Sequence, residues 1–429
     1  MHFSFLLLSL FLIDGPMPQG HEAKARAFVT ALAKGDFEAA SKDFDDAVKK
    51  ALPKDKLESL WSTLQEQVGK FESQGQARSE KQDAYQIIYI TCEFKKNALD
   101  IRLAFNKQGK IGGLSFRPAE SSFMDPPYAK KDSFRESAVT IGTGEWQLPG
   151  TLTMPKGDGP FPAVVLVHGS GPHDRDETID QAKPLRDLAW GLASKGIVAL
   201  RYEKRTKEHG AQIVKLPNFS VKEETVDDAL LGAALLRKTP GVDAKRVFIV
   251  GHSLGAMMAP RMALADKELA GIVLMAAPSR TLVVLILEQT ERELKTAKSE
   301  QEKKLLTTLR AMAEKLRDGK VTADTPRSEL MGSNPGYWLE FQDYRAPADA
   351  AKVTQRMLIL QGEADTQVTM EDFAGWKKVA ANWKNAALKS YPKLNHLFID
   401  PSEKDQHVAE QVIADLAGWI KTSSLPGRD

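Results

Sequence analysis

The sequence predicts an α/β fold, in which a sheet built largely from parallel strands carries helices, preceded by a small α+β domain. Beyond residue 160, short and continuously apolar segments alternate with amphipathic helical segments. This is the pattern of strands that are buried on both faces of a sheet. At about 150 residues per domain, 429 residues make two or three units. The first hundred residues follow a different order, with helices first and strands after them.

The chain begins with an apolar run, Phe3–Ile13, that has the length of a signal-peptide core. The run is too short to cross about 30 Å of hydrocarbon. No Lys or Arg precedes it, and the stretch from Asp14 to Gly20 holds no clear small-residue cleavage site. We interpret residues 1–20 as a signal peptide and expect a secreted or periplasmic protein. The alternative is a hydrophobic tail on a cytoplasmic protein.

Residues 21–124 are predicted to form the small α+β domain. Apolar side chains recur at helical spacing from His21 to about Lys70, with interruptions at Gly35 and Pro53. Three strands are predicted after them, and residues 117–128 are predicted to be a linker because they show no periodicity. The predicted strands are Tyr85–Glu93, Leu99–Phe105 and Ile111–Phe116.

Residues 125–429 are predicted to form the sheet domain. An antiparallel pair opens it, and helical segments separate the strands that follow. The predicted strands are Glu136–Ile141, Trp146–Met154, Ala163–Val167, Ile197–Tyr202, Val247–Val250, Ile272–Met275 and Met357–Gln361. The predicted helices are Ala182–Ser194, Thr225–Arg237, Thr369–Asn382 and Lys404–Ser423.

The alternation stops in residues 278–353, which are predicted to be a helical insertion, with a charged helical stretch at Glu288–Lys320. Ligands of α/β sheets bind beyond the carboxyl ends of the strands, where this insertion leaves the sheet, so it is placed to act as a lid. A helical hairpin that only pads the surface is an equal alternative. Tyr337 and Trp338 are candidate substrate-binding residues, with packing of the lid on the core as their alternative role.

Composition limits the chemistry. Lys plus Arg number 59 against 57 for Asp plus Glu, so the net charge of +2 argues against nucleic acid as a partner. The single cysteine, Cys92, allows neither an internal disulfide nor a thiolate-rich metal site. The stretch His173–Glu177 is rich in ligand types, but consecutive residues point in different directions, and we expect a salt-bridged, solvated loop there. No nucleotide or zinc motif occurs, so we expect no cofactor and no metal.

The sequence Gly251-His252-Ser253-Leu254-Gly255 directly follows an apolar strand and precedes a helix. This is the context of the G-x-S-x-G nucleophile elbow, in which a tight turn presents a serine hydroxyl at the strand end. Glycines are needed at Gly251 and Gly255 because a Cβ would collide with the neighbouring strand or helix. Ser253 is therefore the candidate nucleophile, and a serine that only caps the helix is the alternative.

A serine nucleophile needs a base held by a carboxylate, and in this chain order the acid precedes the base. His396 lies in a loop after the strand-like Leu388–Tyr391 and is the candidate base, whereas His407 is expected on a polar helix facing solvent. Asp365 follows the strand Met357–Gln361 through a short loop and is the candidate acid. Its competitors are Glu363, which comes too soon after the strand, and Asp372, which is expected to begin a helix.

The oxyanion of a tetrahedral intermediate needs two preorganised N–H donors. The N–H of Leu254, directly after the nucleophile, is the first candidate. The second is expected from the glycine-rich loop His168-Gly169-Ser170-Gly171-Pro172, with Ser170 N–H preferred over Gly171 N–H.

These motifs resemble those of the α/β-hydrolase superfamily, and specifically of bacterial serine esterases of the dienelactone-hydrolase-like branch. His168–Glu177 resembles the H-G-S-G-P-x-D-R-D-E loop of that branch, Gly251–Pro260 its elbow, and Leu358–Val368 its acid loop. The resemblance implies a sheet with helices on both faces and a cofactor-free carboxylesterase acting on small esters, with Ser253, Asp365 and His396 as the triad. The N-terminal portion resembles NTF2-like and related domains, and no catalytic residue is carried over there.

Two alternatives to a carboxylesterase stay open. The same triad cleaves amides, peptides or thioesters in other proteins, because it does not specify the leaving group. A protein of a different class would use the N-terminal domain to bind a cell-envelope ligand, with the hydrolase fold as a scaffold. The expected partner is a small-molecule ester, no membrane span is expected, and the sequence assigns no oligomeric state.

Overall fold

The computed structural model describes residues 20–82, 85–119, 125–216, 219–297, 299–342, 344–403 and 406–422. The predicted signal peptide lies outside the described residues, apart from Gly20. The described residues divide into two compact units, one made from those between 20 and 124 together with Asp180–Ala182, and the other from Asp125–Ile179 and the residues from 183 onward. Within the described ranges, no helix combines the length and the apolar character that crossing a membrane requires.

The smaller unit packs four helices against one face of an antiparallel sheet whose strands lie in sequence order. Its helices are α1 (His21–Ala33), α2 (Phe37–Ser41), α3 (Asp46–Ala51) and α4 (Lys54–Val68), and its strands are β1 (Phe71–Gln82), β2 (Tyr85–Phe94), β3 (Ala98–Phe105) and β4 (Ile111–Pro118). The predicted small α+β domain is confirmed, with one correction. Strand β1 was not predicted, because its sequence FESQGQARSEKQ is almost wholly polar and it forms the edge of the sheet.

The larger unit is built on an eight-stranded sheet, and the predicted α/β class is confirmed. Its strands are β5 (Phe134–Ile141), β6 (Leu148–Pro155), β7 (Phe161–Val167), β8 (Val198–Tyr202), β9 (Val242–His252), β10 (Gly271–Met275), β11 (Arg356–Gly362) and β12 (Ala386–Tyr391). They lie in the order β12-β11-β10-β9-β7-β8-β6-β5. The run from β12 to β8 is parallel, and β6 and β5 pair antiparallel at the other edge.

Apolar clusters cover both faces of this sheet, as continuously apolar strands require. Alternate residues of one strand face opposite sides, so that Val165 packs in one cluster and Val164 in the other. The helices are α5 (Pro184–Ser194), α6 (Arg205–Glu208), α7 (Gly210–Ile213), α8 (Asp228–Arg237), α9 (Leu254–Ala265), α14 (Met370–Val379) and α15 (Glu410–Lys421). A π-helical turn, Lys222–Asp227, leads into α8.

The predicted insertion is helical. It contains α10 (Leu282–Leu294), α11 (Glu300–Arg317), α12 (Pro335–Gln342) and α13 (Ala346–Ala350), and α10 and α11 pack around a core of their own that includes Ile286, Met312 and Leu316. The charged helical stretch predicted at Glu288–Lys320 consists of the end of α10 and the whole of α11. The break follows Lys295, and Ser299 caps the second helix by accepting from Glu302 N–H at 3.1 Å.

The strand order brings two loops of the larger unit together. From β7 the chain moves to β8 on one side and later returns to β9 on the other, so that the carboxyl ends of β7 and β9 are neighbours. Ligands of open α/β sheets bind at such a reversal of strand order. The loop that begins at His168 and the turn at Ser253 leave the sheet there.

Candidate active site

Ser253 occupies a tight turn between β9 and α9. Its backbone has φ 52° and ψ −111°, a conformation that L-residues rarely adopt. A Cβ at Gly255 would lie 2.5 Å from Val167 O, and a Cβ at Gly251 would lie 2.6 Å from Ala256 N, so both positions require glycine. The N–H of Ser253 donates to Met275 O at 2.9 Å, and that of Gly255 donates to His168 O at 3.0 Å. The turn is thereby fixed to its neighbouring strand ends.

His396 and Asp365 are hydrogen-bonded to each other. Nδ1 of His396 lies 2.8 Å from Oδ2 of Asp365, and both side chains are buried. Asp365 also accepts from the N–H groups of Gln367 (2.7 Å) and Val368 (3.0 Å) through Oδ1. Burial opposes ionisation of this carboxyl, but the adjacent His396 and the two N–H donors hold its pKa below the usual range. An ionised Asp365 fixes the Nδ1–H tautomer of His396 and leaves Nε2 as the acceptor.

The competing residues are used elsewhere. Glu363 is exposed and accepts from Ser390 Oγ at 2.7 Å. Asp372 lies in the first turn of α14, as predicted, where it binds the side chain and backbone N–H of Arg280. The prediction for His407 was wrong, because it precedes α15, is 11% exposed, and bonds to the buried Asp187 at 3.0 Å.

The glycine-rich loop lies beside the elbow. A Cβ on Gly169 would be only 3.2 Å from Cβ of Ser253, so the loop backbone runs directly past that residue. The N–H of Gly169 donates to Oε1 of Glu177 at 2.6 Å. Within the described part of the chain, Ser170 N–H has no acceptor, whereas Ser170 O bonds to Nε2 of His173 at 2.6 Å. Leu254 is the first residue of α9, and its N–H belongs to the helical turn that has no partner within the helix.

A buried ion pair that the sequence reasoning missed joins these loops. Glu177 is 0% exposed, and its Oε1 also lies 3.0 Å from Nδ1 of His252. Nε2 of His252 lies 2.9 Å from the backbone oxygen of His396. A carboxylate and a carbonyl only accept, so both ring nitrogens of His252 carry protons and the ring is positively charged.

Each member of the His252–Glu177 pair stabilises the charged form of the other. Burial by itself would lower the pKa of His252, but the Glu177 carboxylate, the His396 carbonyl oxygen and Asp365 together outweigh it and the pKa is raised. Burial would likewise raise the pKa of Glu177, but His252 holds it well below the usual range. The expectation of a solvated loop at His173–Glu177 is therefore corrected, since its last residue is wholly buried. The sequence did offer a signal for this pair, because Glu177 lies in the loop motif after β7 and His252 lies in the elbow motif at the end of the neighbouring strand β9.

The two aromatic candidates of the insertion take packing positions. The ring of Tyr337 packs against the core of the sheet domain, and its hydroxyl donates to Oε2 of Glu224 at 2.8 Å. Trp338 packs against the apolar core of the insertion. Across the described residues, no three His, Cys, Asp or Glu side chains are grouped so that they could hold a metal ion.

Comparison with known proteins matches both parts of the chain. Residues 164–410 match the model of the alpha/beta hydrolase family, and residues 25–114 match a family of proteins of unknown function, DUF3887. Esterase EstD of Thermotoga maritima is 35% identical over an alignment of 428 positions that covers 97% of this chain and 98% of EstD.

Solved structures of esterases are more distant. Pyrococcus furiosus esterase Pf2001 is 18% identical with a TM-score of 0.47, over 70% of this chain and 97% of its own. Est1E of Butyrivibrio proteoclasticus is 16% identical with a TM-score of 0.45, over 66% of this chain and 97% of its own.

Proposed function

The chain belongs to the alpha/beta hydrolase family, and we propose that it hydrolyses carboxylic esters through Ser253, His396 and Asp365. The observation that carries the proposal is the 2.8 Å bond between His396 Nδ1 and Asp365 Oδ2, in a loop that is held to the residue before Ser253. The relationship to Esterase EstD along nearly the whole chain supports the choice of an ester bond.

Each residue has a chemical role in this proposal. Ser253 Oγ attacks the acyl carbonyl while Nε2 of His396 takes its proton, and the imidazolium then protonates the leaving alkoxide. A water molecule, deprotonated by His396, attacks the acyl-enzyme and releases the acid with Ser253 restored. Asp365 stabilises the imidazolium in both steps.

The N–H groups of Leu254 and Ser170 are proposed as the oxyanion donors. Two neighbouring amides are engaged elsewhere, Gly255 with His168 O and Gly169 with Glu177. Gly171 N–H is the alternative to Ser170 N–H. Loss of one such donor costs roughly 3–4 kcal/mol of transition-state stabilisation.

The first experiment compares the protein with its Ser253→Ala variant on p-nitrophenyl acetate, butyrate and octanoate, with enough enzyme to resolve a burst. We expect a burst and turnover in the parent protein and neither in the variant, because the variant has no nucleophile. Ser402→Ala is the matched control, since Ser402 is an exposed serine that bonds to nearby Asp400. Equal turnover by the parent and Ser253→Ala would refute the proposal.

A matched amide distinguishes the reaction class. p-Nitroacetanilide offers the acyl group of p-nitrophenyl acetate on a poorer leaving group. We expect it to be cleaved far more slowly than the ester. Comparable kcat/KM for the two substrates would favour an amidase instead.

We also propose that the protein is exported. The support is the apolar run Phe3–Ile13, which has the length of a signal-peptide core. Expression of the full chain followed by N-terminal sequencing tests this proposal. A mature N-terminus near residue 20 in the exported fraction is expected, and intact protein confined to the cytoplasm would contradict it.

A further inference from the structure

We propose that Lys204 is a positioning residue for oxyanion binding, because its ammonium group holds the carbonyl of Gly169 and thereby aims the N–H of Ser170. This inference rests on the function proposed above. Lys204 follows strand β8 and is only 2% exposed. Its Nζ donates to Gly169 O at 2.7 Å.

The effect on Ser170 follows from peptide geometry. Gly169 O and Ser170 N–H belong to one peptide group, which is planar and trans, so the C=O and N–H bonds point in opposite directions. A bond that draws Gly169 O toward Lys204 therefore turns Ser170 N–H away from Lys204. The preceding peptide is fixed as well, since Gly169 N–H donates to Glu177. Two buried charged side chains thus determine the orientation of this loop on either side of Gly169.

Lys204 is itself held by a second buried group, Glu224. The two lie 3.6 Å apart between Nζ and Oε1, and Glu224 is 3% exposed. Burying two charges costs several kcal/mol of desolvation per ion, which hydrogen bonds must offset. Glu224 receives such bonds from Thr206 Oγ1 at 2.7 Å and from the hydroxyl of Tyr337 at 2.8 Å.

The supporting groups link the insertion to the loop. Glu224 lies in the π-helical turn Lys222–Asp227, and Tyr337 lies in α12 of the insertion. π-Helical turns occur frequently at functional sites. A continuous polar chain therefore runs from Tyr337 through Glu224 and Lys204 to Gly169 O. A shift of α12 would therefore be expected to change the orientation of the Gly169–Ser170 peptide, which carries the proposed oxyanion donor.

The test uses Lys204→Met, which keeps the length of the side chain and removes the ammonium group. We expect kcat for p-nitrophenyl acetate to fall 10- to 100-fold while KM changes less than threefold, since the donor acts on the transition state. Binding of a trifluoromethyl ketone, whose adduct with serine carries an oxyanion, is expected to weaken by the same factor as kcat/KM. Lys384→Met, at an exposed lysine, is the matched control.

Two further variants and an active-site titration keep the test decisive if Glu224, left without its cation, prevents folding of this variant. The double variant Lys204→Met/Glu224→Gln removes both charges, and Tyr337→Phe removes only the outermost bond and is expected to lower kcat three- to tenfold. Titration with a fluorophosphonate counts the folded enzyme with a reactive Ser253, and rates are expressed per titrated site.

The outcomes separate the two proposals. Failure of the fluorophosphonate to label the parent protein would overturn the proposed function itself. Normal labelling, with unchanged kcat per site and unchanged trifluoromethyl ketone affinity in the Lys204 variants, would overturn the positioning role alone. A parallel loss of kcat and ketone affinity at constant KM supports it.

Discussion

Replacement of Gly362 by alanine is expected to separate the loop of Asp365 from the loop of His396. Gly362 ends β11, and a Cβ there would lie 2.6 Å from Asn395 O and closer still to Leu394 O. An ordinary contact needs about 3.5 Å, so the contact with Asn395 O alone requires the two backbones to part by roughly 0.9 Å, and the closer contact with Leu394 O requires more. If His396 moves with its loop, its 2.8 Å bond to Asp365 lengthens to at least about 3.7 Å, which is no longer a hydrogen bond.

The expected loss is on the order of 100-fold in kcat, because a displacement of about 1 Å removes the productive alignment of reacting groups. Overpacking is expected to cost about 1–3 kcal/mol of unfolding free energy as well. Ester hydrolysis and urea unfolding measure the two effects separately. Gly418→Ala is the control, since nothing lies within 4 Å of a Cβ on that exposed helical glycine, and it is expected to raise stability by about 1 kcal/mol with kcat unchanged. Parent-like kcat and stability in Gly362→Ala would refute the reasoning.

Three other changes have defined outcomes. Asp365→Asn is expected to lower kcat by roughly 10⁴-fold because His396 then loses its orienting anion, and a normal rate at unchanged fold would remove Asp365 from the site. Burial lowers the pKa of His168 to about 3. Between pH 6.5 and 3 this imidazole is therefore protonated in the unfolded chain and neutral in the folded protein. The free energy of unfolding falls by up to about 1.4 kcal/mol for each pH unit below 6.5. His168→Asn should therefore reduce the fall in melting temperature between about pH 6.5 and 5, and an unchanged slope would contradict this assignment. Asp372→Ala leaves Arg280 and two backbone N–H groups without their buried acceptor and is expected to cost roughly 2–3 kcal/mol in urea unfolding; an unchanged unfolding free energy would show that the pair is dispensable.

Much of the fold was predictable because its signals are local. The apolar runs that became β7, β9 and β10 are recognisable from a few adjacent residues, and so is the glycine turn around Ser253. Strand β1 could not be found in this way. Its polar sequence has no alternation to mark a buried face, and it became a strand through pairing with β2.

The order of the candidate loops was likewise readable from the chain. Turn residues follow the strands that carry Ser253 and Asp365, and the loop of His396 comes after them, so each position depends on a strand end that the sequence marks. The partners and the exposure of individual charged side chains could not be predicted from the sequence. His407 was expected to face solvent, but it bonds to Asp187, a residue 220 positions away.

The class of the fold and the order of the strand-end loops can be inferred from the sequence alone, because apolar periodicity and glycine turns act over a few residues. The tertiary structure decided which charges meet. Glu177 pairs with His252 across 75 positions, and Lys204 reaches Gly169 across 35. Such pairs form because a buried charge must find a partner of opposite polarity, and only the folded chain determines which partners lie within hydrogen-bond distance.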